Sequence, residues 1–214
     1  MLLLEEIFKS RKNEFSEIYN LRIHRGLSWL KKANELDDDL ELQFMSLWVA
    51  LNAIHAQDST QVENEQNLSQ FIQSIFQKDI GAKINHLLWG KLHQPILQLF
   101  NNCYVYQEFW DYQNQKITAL VCQQGLERKK HKLYTALENK LSVDILQGVF
   151  HGLYTLHHQL VQGGATYNSA VNRKQLQDSC RILSSLMPVF ILLLLENAQS
   201  MDSKKPFYPL VQVC

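Results

Sequence analysis

Apolar side chains recur every three or four residues along most of this chain, which is the spacing that gathers them on one face of an α-helix. In the segment NLSQFIQSIFQ, five apolar residues fall at such intervals: Leu68, Phe71, Ile72, Ile75 and Phe76. The sequence has no pair of alternating segments joined by an Asn-Gly turn, which would indicate a β-hairpin. The pattern predicts an all-α bundle with long antiparallel core helices and additional short helices.

The first half of the chain is predicted to begin with two long helices. The first spans residues 5–34, and the acidic run 37–39 then supplies an N-cap for the second. This second helix, LELQFMSLWVALNAIHAQ, is apolar nearly all round, so it is predicted to be central, with Asn52 buried and hydrogen-bonded. Residues 82–101 are predicted to be helical with an interruption at Pro95, which should end or kink the helix near His93.

The second half of the chain is predicted to contain three further long helices. The aromatic segment CYVYQEFWDY is read as a short helix or a packed loop. A helical pattern then covers residues 117–140, with Gly125 and the basic run 128–132 as a candidate break. No repeat and no linker separates domains, so one domain over residues 1–214 is expected, with an extended tail over about 203–214.

The last two helices carry recognisable capping residues. Ser142 is predicted to cap a helix that reaches Gln162, where Gly163 suits a left-handed C-terminal stop. Asn172 with Gln175 resembles a capping box for a last helix from Arg173 to about residue 199. Pro188 is expected to bend that helix.

Composition and charge narrow the class of protein. Lysine plus arginine and aspartate plus glutamate each number 21 among 214 residues, so the formal charge is zero. This balance argues against a general nucleic-acid coat protein, although it leaves room for a local basic patch. Four widely spaced cysteines without a C-x-x-C pair indicate reduced thiols: Cys103, Cys122, Cys180 and Cys214.

The ends of the chain carry no predicted targeting or membrane segment. The N-terminal MLLLEEIFKS becomes acidic after four residues, unlike a signal peptide. The apolar run ILSSLMPVFILLLL contains two serines and a proline and is too short to span a bilayer, so it is predicted to be a buried helix. A cytoplasmic protein with no membrane role is expected.

The penultimate helix carries two adjacent histidines, His157 and His158. A buried stripe with three- and four-residue spacing is predicted on this helix: Leu146, Val149, Leu153, Leu156 and Leu160. His157 flanks the stripe, whereas His158 falls on a polar face. Gly148 and Gly152, four residues apart, indicate a strip where another helix approaches closely, since each weakens a helix by roughly 1 kcal/mol relative to alanine.

Metal and nucleophile chemistry find little support in the sequence. His151 and His158 are about two turns apart, roughly 10 Å along a helix axis, which is too far for one metal ion. No H-E-x-x-H, G-x-S-x-G, Walker loop or G-x-G-x-x-G following a strand is present. No metal and no cofactor are predicted.

Three blocks of the chain carry a family resemblance. The segments RIHRGLSWLKKANEL, LQFMSLWVALNAI and LYTLHHQLVQGGATYNSAVNRKQLQD, in this order, resemble bacterial HEPN-domain proteins of the Apea-like type. The likeness extends from about residue 21 to the terminal YPLVQ and is weakest between residues 59 and 140. It implies a HEPN-like helical bundle of a kind that commonly dimerises and frequently acts on RNA in toxin or defence systems.

In that family the penultimate helix ends in a block like Leu-Arg-Asn-Gln-Leu-Val-His-Gly-Gly-Ala-Thr, whose Arg-Asn-x-x-x-His core is the ribonuclease signature. Here His157 stands at the position of the arginine, His158 at that of the asparagine and Gln162 at that of the histidine. The other residues of the block match as they stand: Gln159, Leu160, Val161, Gly163, Gly164, Ala165 and Thr166. The chain thus keeps the frame of the motif without its chemical residues.

These exchanges favour a protein that does not cleave RNA. Glutamine cannot titrate, and a histidine beside an apolar stripe is mostly neutral, whereas arginine keeps its charge and grips phosphate. Positioned proton transfer contributes roughly 10²- to 10⁴-fold, so its loss leaves little activity. The interpretation is a binding or regulatory protein, related to RNA or to toxin–antitoxin systems, that forms a homodimer and binds RNA or a cognate protein.

Two alternatives stay open from the sequence. The chain is an RNA endonuclease if His157 or His158 has taken over the proton transfer, with the missing positive charge supplied by Arg22, Arg25 or Arg173. It is a small-ligand or nucleotide-binding module if a polar pocket lies next to Gln162, where Asn52 is a candidate lining residue.

Further candidate contacts to RNA come from a basic run and from aromatic residues. Arg128, Lys129, Lys130 and Lys132 could hold a phosphate backbone by releasing counterions, although such a run is more often a solvated helix face. The four tryptophans could stack on bases, but their spacing among aliphatic residues favours core packing: Trp29, Trp48, Trp89 and Trp110.

Overall fold

The computed structural model describes residues 2–55 and 61–201, apart from the side chains of residues 61–64. Within these ranges the chain is all-helical, with eleven α-helices, two short 3-10 helices and no strand. The α-helices are α1 (Leu2–Arg11), α2 (Glu17–Ala33), α3 (Leu40–His55), α4 (Gln61–Gln77), α5 (Lys83–Trp89), α6 (His93–Asn101), α7 (Gln107–Gln113), α8 (Ala119–Glu138), α9 (Ser142–Val161), α10 (Arg173–Glu196) and α11 (Ala198–Met201). The expected tail over 203–214, with Cys214, lies outside the described residues.

The chain divides into two compact units. The first draws its described residues from Met1–Asp38, Leu42–Ile84 and Leu183–Cys214. Gly26 on α2 permits close packing there, because an added Cβ would lie 2.6 Å from Cγ2 of Ile54 on α3 and 3.9 Å from Cδ1 of Ile191 on α10. The buried Tyr19 hydroxyl donates to the carbonyl of Leu194 at 2.6 Å. Helices α2, α3 and α10 therefore pack against one another in the core of this unit.

The second unit comprises Asp39–Glu41 and Asn85–Ile182. Its centre is α9, which packs against α6, α8 and the 3-10 helix Cys103–Val105. A Cβ at Gly148 would lie 2.2 Å from Cδ2 of Leu133, and one at Gly152 would lie 3.1 Å from Cβ of Val105. The prediction that these two glycines allow close packing is confirmed. The expectation of one domain over the whole chain stays a prediction.

Two predicted helices are each divided into shorter elements, one of them at a place that no sequence pattern indicated. The helix over 5–34 is wrong as one element, since Ser16 begins α2 by accepting a hydrogen bond from the amide of Tyr19 at 3.1 Å. The helix over 82–101 breaks between Trp89 and His93, which confirms the expected interruption near His93. Pro95 lies in the first turn of α6, where its missing N–H leaves no helical hydrogen bond unmade.

The capping predictions are also corrected. Leu141 is the N-cap of α9, and the Ser142 hydroxyl accepts from the Trp89 indole N–H at 3.1 Å instead. The capping box at Asn172 is wrong: Asn172 has φ +66°, and the side chain of Gln175 lies buried with no hydrogen-bond partner among the described residues. Helix α8 has no break, since Gly125 packs against the side chain of Glu108.

Helix α10 contains the most apolar run of the chain. By length and composition it is the one helix among the described residues that could span a membrane, and 67% of its most apolar window is buried inside the protein. The prediction of a buried helix here is confirmed, since Ile182, Leu186 and Phe190 are fully buried. Burial of this kind is what the core helix of a soluble protein shows.

Candidate functional site at the end of helix α9

Helix α9 ends in a glycine turn. Gly163 has φ +70°, and its N–H donates to the carbonyl of Leu160 at 3.2 Å. The N–H of Gly164 reaches back to the carbonyl of Gln159 at 2.7 Å. These two bonds define a Schellman motif, so the predicted left-handed stop at Gly163 is confirmed. Gln162 is the exposed C-cap residue immediately before this turn.

The adjacent histidines point in different directions on the last turns of α9, as successive helical residues do. Both are half-buried, and their ring centroids lie 5.8 Å apart at 80°. The His158 ring packs 4.6 Å from that of Tyr154. Burial, with His158 as the smaller cause, lowers the pKa of His157 from 6.5 to about 4. His157 is therefore an uncharged imidazole at neutral pH.

Side-chain amides connect the last turn of α9 to its neighbours within the second unit. The Gln159 amide nitrogen donates to the carbonyl of Tyr104 at 3.1 Å, and its oxygen accepts from the Asn172 amide at 3.4 Å. The Trp110 indole N–H donates to the same Tyr104 carbonyl at 2.9 Å. The beginning of α10 and the aromatic segment around Tyr104 are thereby fixed beside the end of α9.

The loop between α9 and α10 is bound to two carboxylates at the beginning of α3. The Tyr167 hydroxyl donates to Asp39 at 2.6 Å, and this hydrogen bond is the main reason that the pKa of Tyr167 is raised. The Asn168 backbone N–H donates to Oε1 of Glu41 at 2.9 Å. The Arg173 guanidinium contacts both oxygens of Glu41, at 3.0 and 2.8 Å. We call these five residues the acidic latch.

Arg22 and Arg25, suggested above as sources of the missing positive charge, both lie in the first unit. Arg22 is 5% exposed, its guanidinium donates to the carbonyl of Ile54, and it lies 5.9 Å from the Tyr19 ring centroid. Arg25 is half-buried. The buried Arg22 is a structural residue and does not present its charge to a ligand. Arg173 lies in the second unit near the motif, but Glu41 neutralises it.

The predicted basic run lies on α8, and only part of it is exposed for contact with an RNA backbone. Lys129 forms an ion pair with Glu108 at 2.9 Å and lies 3.4 Å from Nε2 of His151. The Lys130 ammonium lies 6.0 Å from the Tyr106 ring centroid. Arg128 and Lys132 are exposed to solvent. The run is thus a helix face whose inner lysine is already paired.

The remaining predicted site residues differ in how far they are buried. Asn52, predicted to be buried, is half-buried in the first unit, and Thr166 is exposed beyond the glycine turn. Core packing is right for the buried Trp48 and wrong for Trp29, which is exposed on α2. In the described part of the chain, no three His, Cys, Asp or Glu side chains are close enough to hold a metal ion.

Sequence reasoning missed the residues that surround the motif in space. Glu41 and Tyr167 had no role in the sequence interpretation, and Asp39 entered only as part of an expected N-cap. No local pattern could have found the acidic latch, because its partners are more than a hundred residues apart in the chain.

Comparison of the chain with family models, with curated proteins and with solved structures finds no match.

Proposed function

We propose that this chain is a cytoplasmic HEPN-like binding or regulatory module that has lost ribonuclease activity, with RNA or a cognate protein as its partner. The family assignment rests on the three sequence blocks described above. The loss of activity rests on the chemistry of the side chains at the end of α9. A second copy of the chain completes the module as a homodimer.

The state of His157 is the observation that carries this proposal. At the position where the family signature has arginine, this chain has a half-buried imidazole whose pKa is lowered to about 4. It is uncharged at pH 7, so it offers no positive charge to a phosphodiester. An arginine there would keep its charge at any physiological pH.

Two further features point in the same direction. Gln162, at the position of the signature histidine, cannot exchange a proton in this pH range. Arg173 follows the motif in the same unit, and its guanidinium already donates to both carboxylate oxygens of Glu41. Neither the proton transfer of the signature histidine nor the phosphate contact of the signature arginine is thus supplied at its own position, and Arg173 is already paired with Glu41.

We expect purified protein to leave structured and single-stranded RNA intact. The measurement is a time course of RNA cleavage with the wild-type chain beside the double variant His157→Ala/His158→Ala, both checked for helical content by circular dichroism. Cleavage by the wild type that disappears in the double variant would overturn the proposal in favour of an endonuclease. Equal, negligible cleavage by both proteins agrees with it.

The homodimer is proposed to form through the helices around the motif. Three apolar side chains there are exposed: Val161, Tyr167 and Val171. We expect Val161→Asp/Val171→Asp to raise the dimer dissociation constant at least about tenfold, because a carboxylate that loses water in an interface without a partner is costly. Sedimentation equilibrium measures this constant. Ile80→Asp changes an exposed apolar residue of the first unit and should leave the constant unchanged; a monomeric wild type contradicts the proposal.

A further inference from the structure

Helix α2 carries the most exposed tryptophan of the chain. Trp29 is 42% exposed, whereas Trp48 is 2% exposed. The other two tryptophans are half-buried, and each donates its indole N–H to an oxygen of the protein, Trp89 at 3.1 Å and Trp110 at 2.9 Å. Burial and hydrogen bonds therefore give three of the four tryptophans a structural role, and they leave Trp29 unexplained.

The part of α2 that carries Trp29 is basic. Residues 18–34 include no aspartate or glutamate, although the whole chain is formally neutral. Within this range Arg25 is half-buried, and two lysines are exposed: Lys31 and Lys32. The helix surface around the exposed indole therefore carries positive charge and no carboxylate of its own.

Helix geometry places two of these cations beside the indole. Arg25 precedes Trp29 by four residues and Lys32 follows it by three, and residues at these spacings are neighbours on a helix surface. The Lys32 ammonium lies 3.4 Å from Glu35, but both side chains are 54% exposed, and solvent-exposed ion pairs of this kind contribute little. Lys32 can therefore exchange this carboxylate for a phosphate.

An exposed aromatic ring between cations suits an unpaired base and its phosphates. Every nucleic-acid base has a face that stacks on an aromatic side chain, and lysine or arginine beside the ring neutralises the backbone. The bases of a double helix are already stacked on one another, so only a single strand could use the indole. A protein partner would also cover Trp29, but lysine is depleted in protein–protein interfaces. The charge around Trp29 therefore favours a polynucleotide.

We infer that Trp29 is a stacking site for an unpaired base of a single-stranded polynucleotide, which is RNA under the proposed function, and that Arg25 and Lys32 bind the adjacent phosphates. The site belongs to the first unit, whereas the degenerate motif belongs to the second. The inference rests on the proposed function only in taking RNA as the partner, and it does not depend on whether the motif cleaves RNA.

The test measures the affinity for a short fluorescein-labelled oligoadenylate RNA by fluorescence anisotropy. Trp29→Ala should weaken binding about 5- to 100-fold, because it removes base–aromatic stacking. Trp29→Phe keeps an aromatic face and should retain most of the affinity. Trp29→Leu keeps only an apolar side chain and should lose as much affinity as alanine, so the Phe and Leu variants provide the measurement if Trp29→Ala does not fold.

Matched variants separate stacking from a general effect of charge or of exposed aromatic surface. Arg25→Gln and Lys32→Gln should each reduce the slope of log affinity against log salt by about 0.7, corresponding to one lost phosphate contact. Trp29→Ala should leave that slope unchanged. Tyr112→Ala on α7 removes an aromatic side chain that is 41% exposed in the second unit, and it should leave the affinity unchanged.

Three results would overturn the inference. They are a wild type that does not bind the oligonucleotide, equal affinity of wild type and Trp29→Ala, and equal losses for Trp29→Ala and Tyr112→Ala. If Trp29→Ala instead raises the dimer dissociation constant in sedimentation equilibrium and leaves the RNA affinity unchanged, the indole contacts a second copy of the chain, and the inference is wrong. Tighter binding of RNA than of oligodeoxyadenylate identifies RNA as the ligand, whereas equal binding assigns the site to single strands of either kind.

The proposed function fails on a different measurement. Histidine-dependent cleavage of RNA by the wild type would overturn the loss of ribonuclease activity and leave the Trp29 site standing. Conversely, RNA that stays intact and is bound equally by wild type and Trp29→Ala would overturn the stacking site alone.

Discussion

Arg22→Ala is expected to lower the free energy of unfolding by about 2–4 kcal/mol, because it removes a buried charge-assisted hydrogen bond and a cation–π contact together. The Arg22 guanidinium donates to the carbonyl of Ile54 near the end of α3 and lies 5.9 Å from the Tyr19 ring centroid. Alanine would leave that carbonyl without this donor in a buried position and would also empty the space of a long side chain. Urea denaturation followed by circular dichroism measures the change.

Arg128→Ala is the matched control, since it removes the same side chain from an exposed position on α8. A change within about 0.5 kcal/mol is expected there. If Arg22→Ala were as stable as the wild type while RNA binding fell, Arg22 would be a ligand contact and not a structural residue. The comparison thus decides between the role suggested by the resemblance and the role indicated by burial.

The order and type of the helices could be predicted from sequence because each depends on nearby residues. The apolar periodicity of α4 is reproduced, with Leu68, Phe71, Ile72 and Ile75 buried. Helix boundaries follow less directly from the sequence, because several polar residues can begin or end a helix. Ser16 divides the first predicted helix, whereas Ser142, a predicted N-cap, accepts a hydrogen bond from Trp89 instead.

The candidate site shows the same division between local and long-range information. The glycine turn at Gly163 follows from the need for a positive φ after a helix, and the sequence shows it directly. The Arg173–Glu41 pair joins residues that are 132 positions apart, so no periodicity or spacing could reveal it. The neutral state of His157 lies between these cases, since the adjacent stripe indicates burial but not its extent.

The charge state of His157 also determines how the stability of the protein depends on pH. Its pKa is about 4 in the folded chain and near 6.5 in an unfolded one, mainly because burial disfavours the imidazolium ion. Between these values the unfolded chain binds a proton that the folded chain does not bind. Stability contributed by the neutral ring is therefore fully present above pH 6.5 and declines as the pH falls towards 4.

His157→Gln should remove this contribution, because glutamine does not titrate. The free energy of unfolding of the wild type, relative to that of the variant, should fall by about 1–2 kcal/mol from neutral pH to pH 4. This figure allows for solvent screening of a half-buried ring. Denaturation curves across that range measure the difference. His24→Gln changes an exposed histidine of α2 and retains His157, so it should keep the wild-type decline. A His157→Gln profile parallel to the wild type would mean that His157 titrates alike in both states. The pKa of His157 would then not be lowered by burial, and the main argument against phosphate binding at the end of α9 would fail.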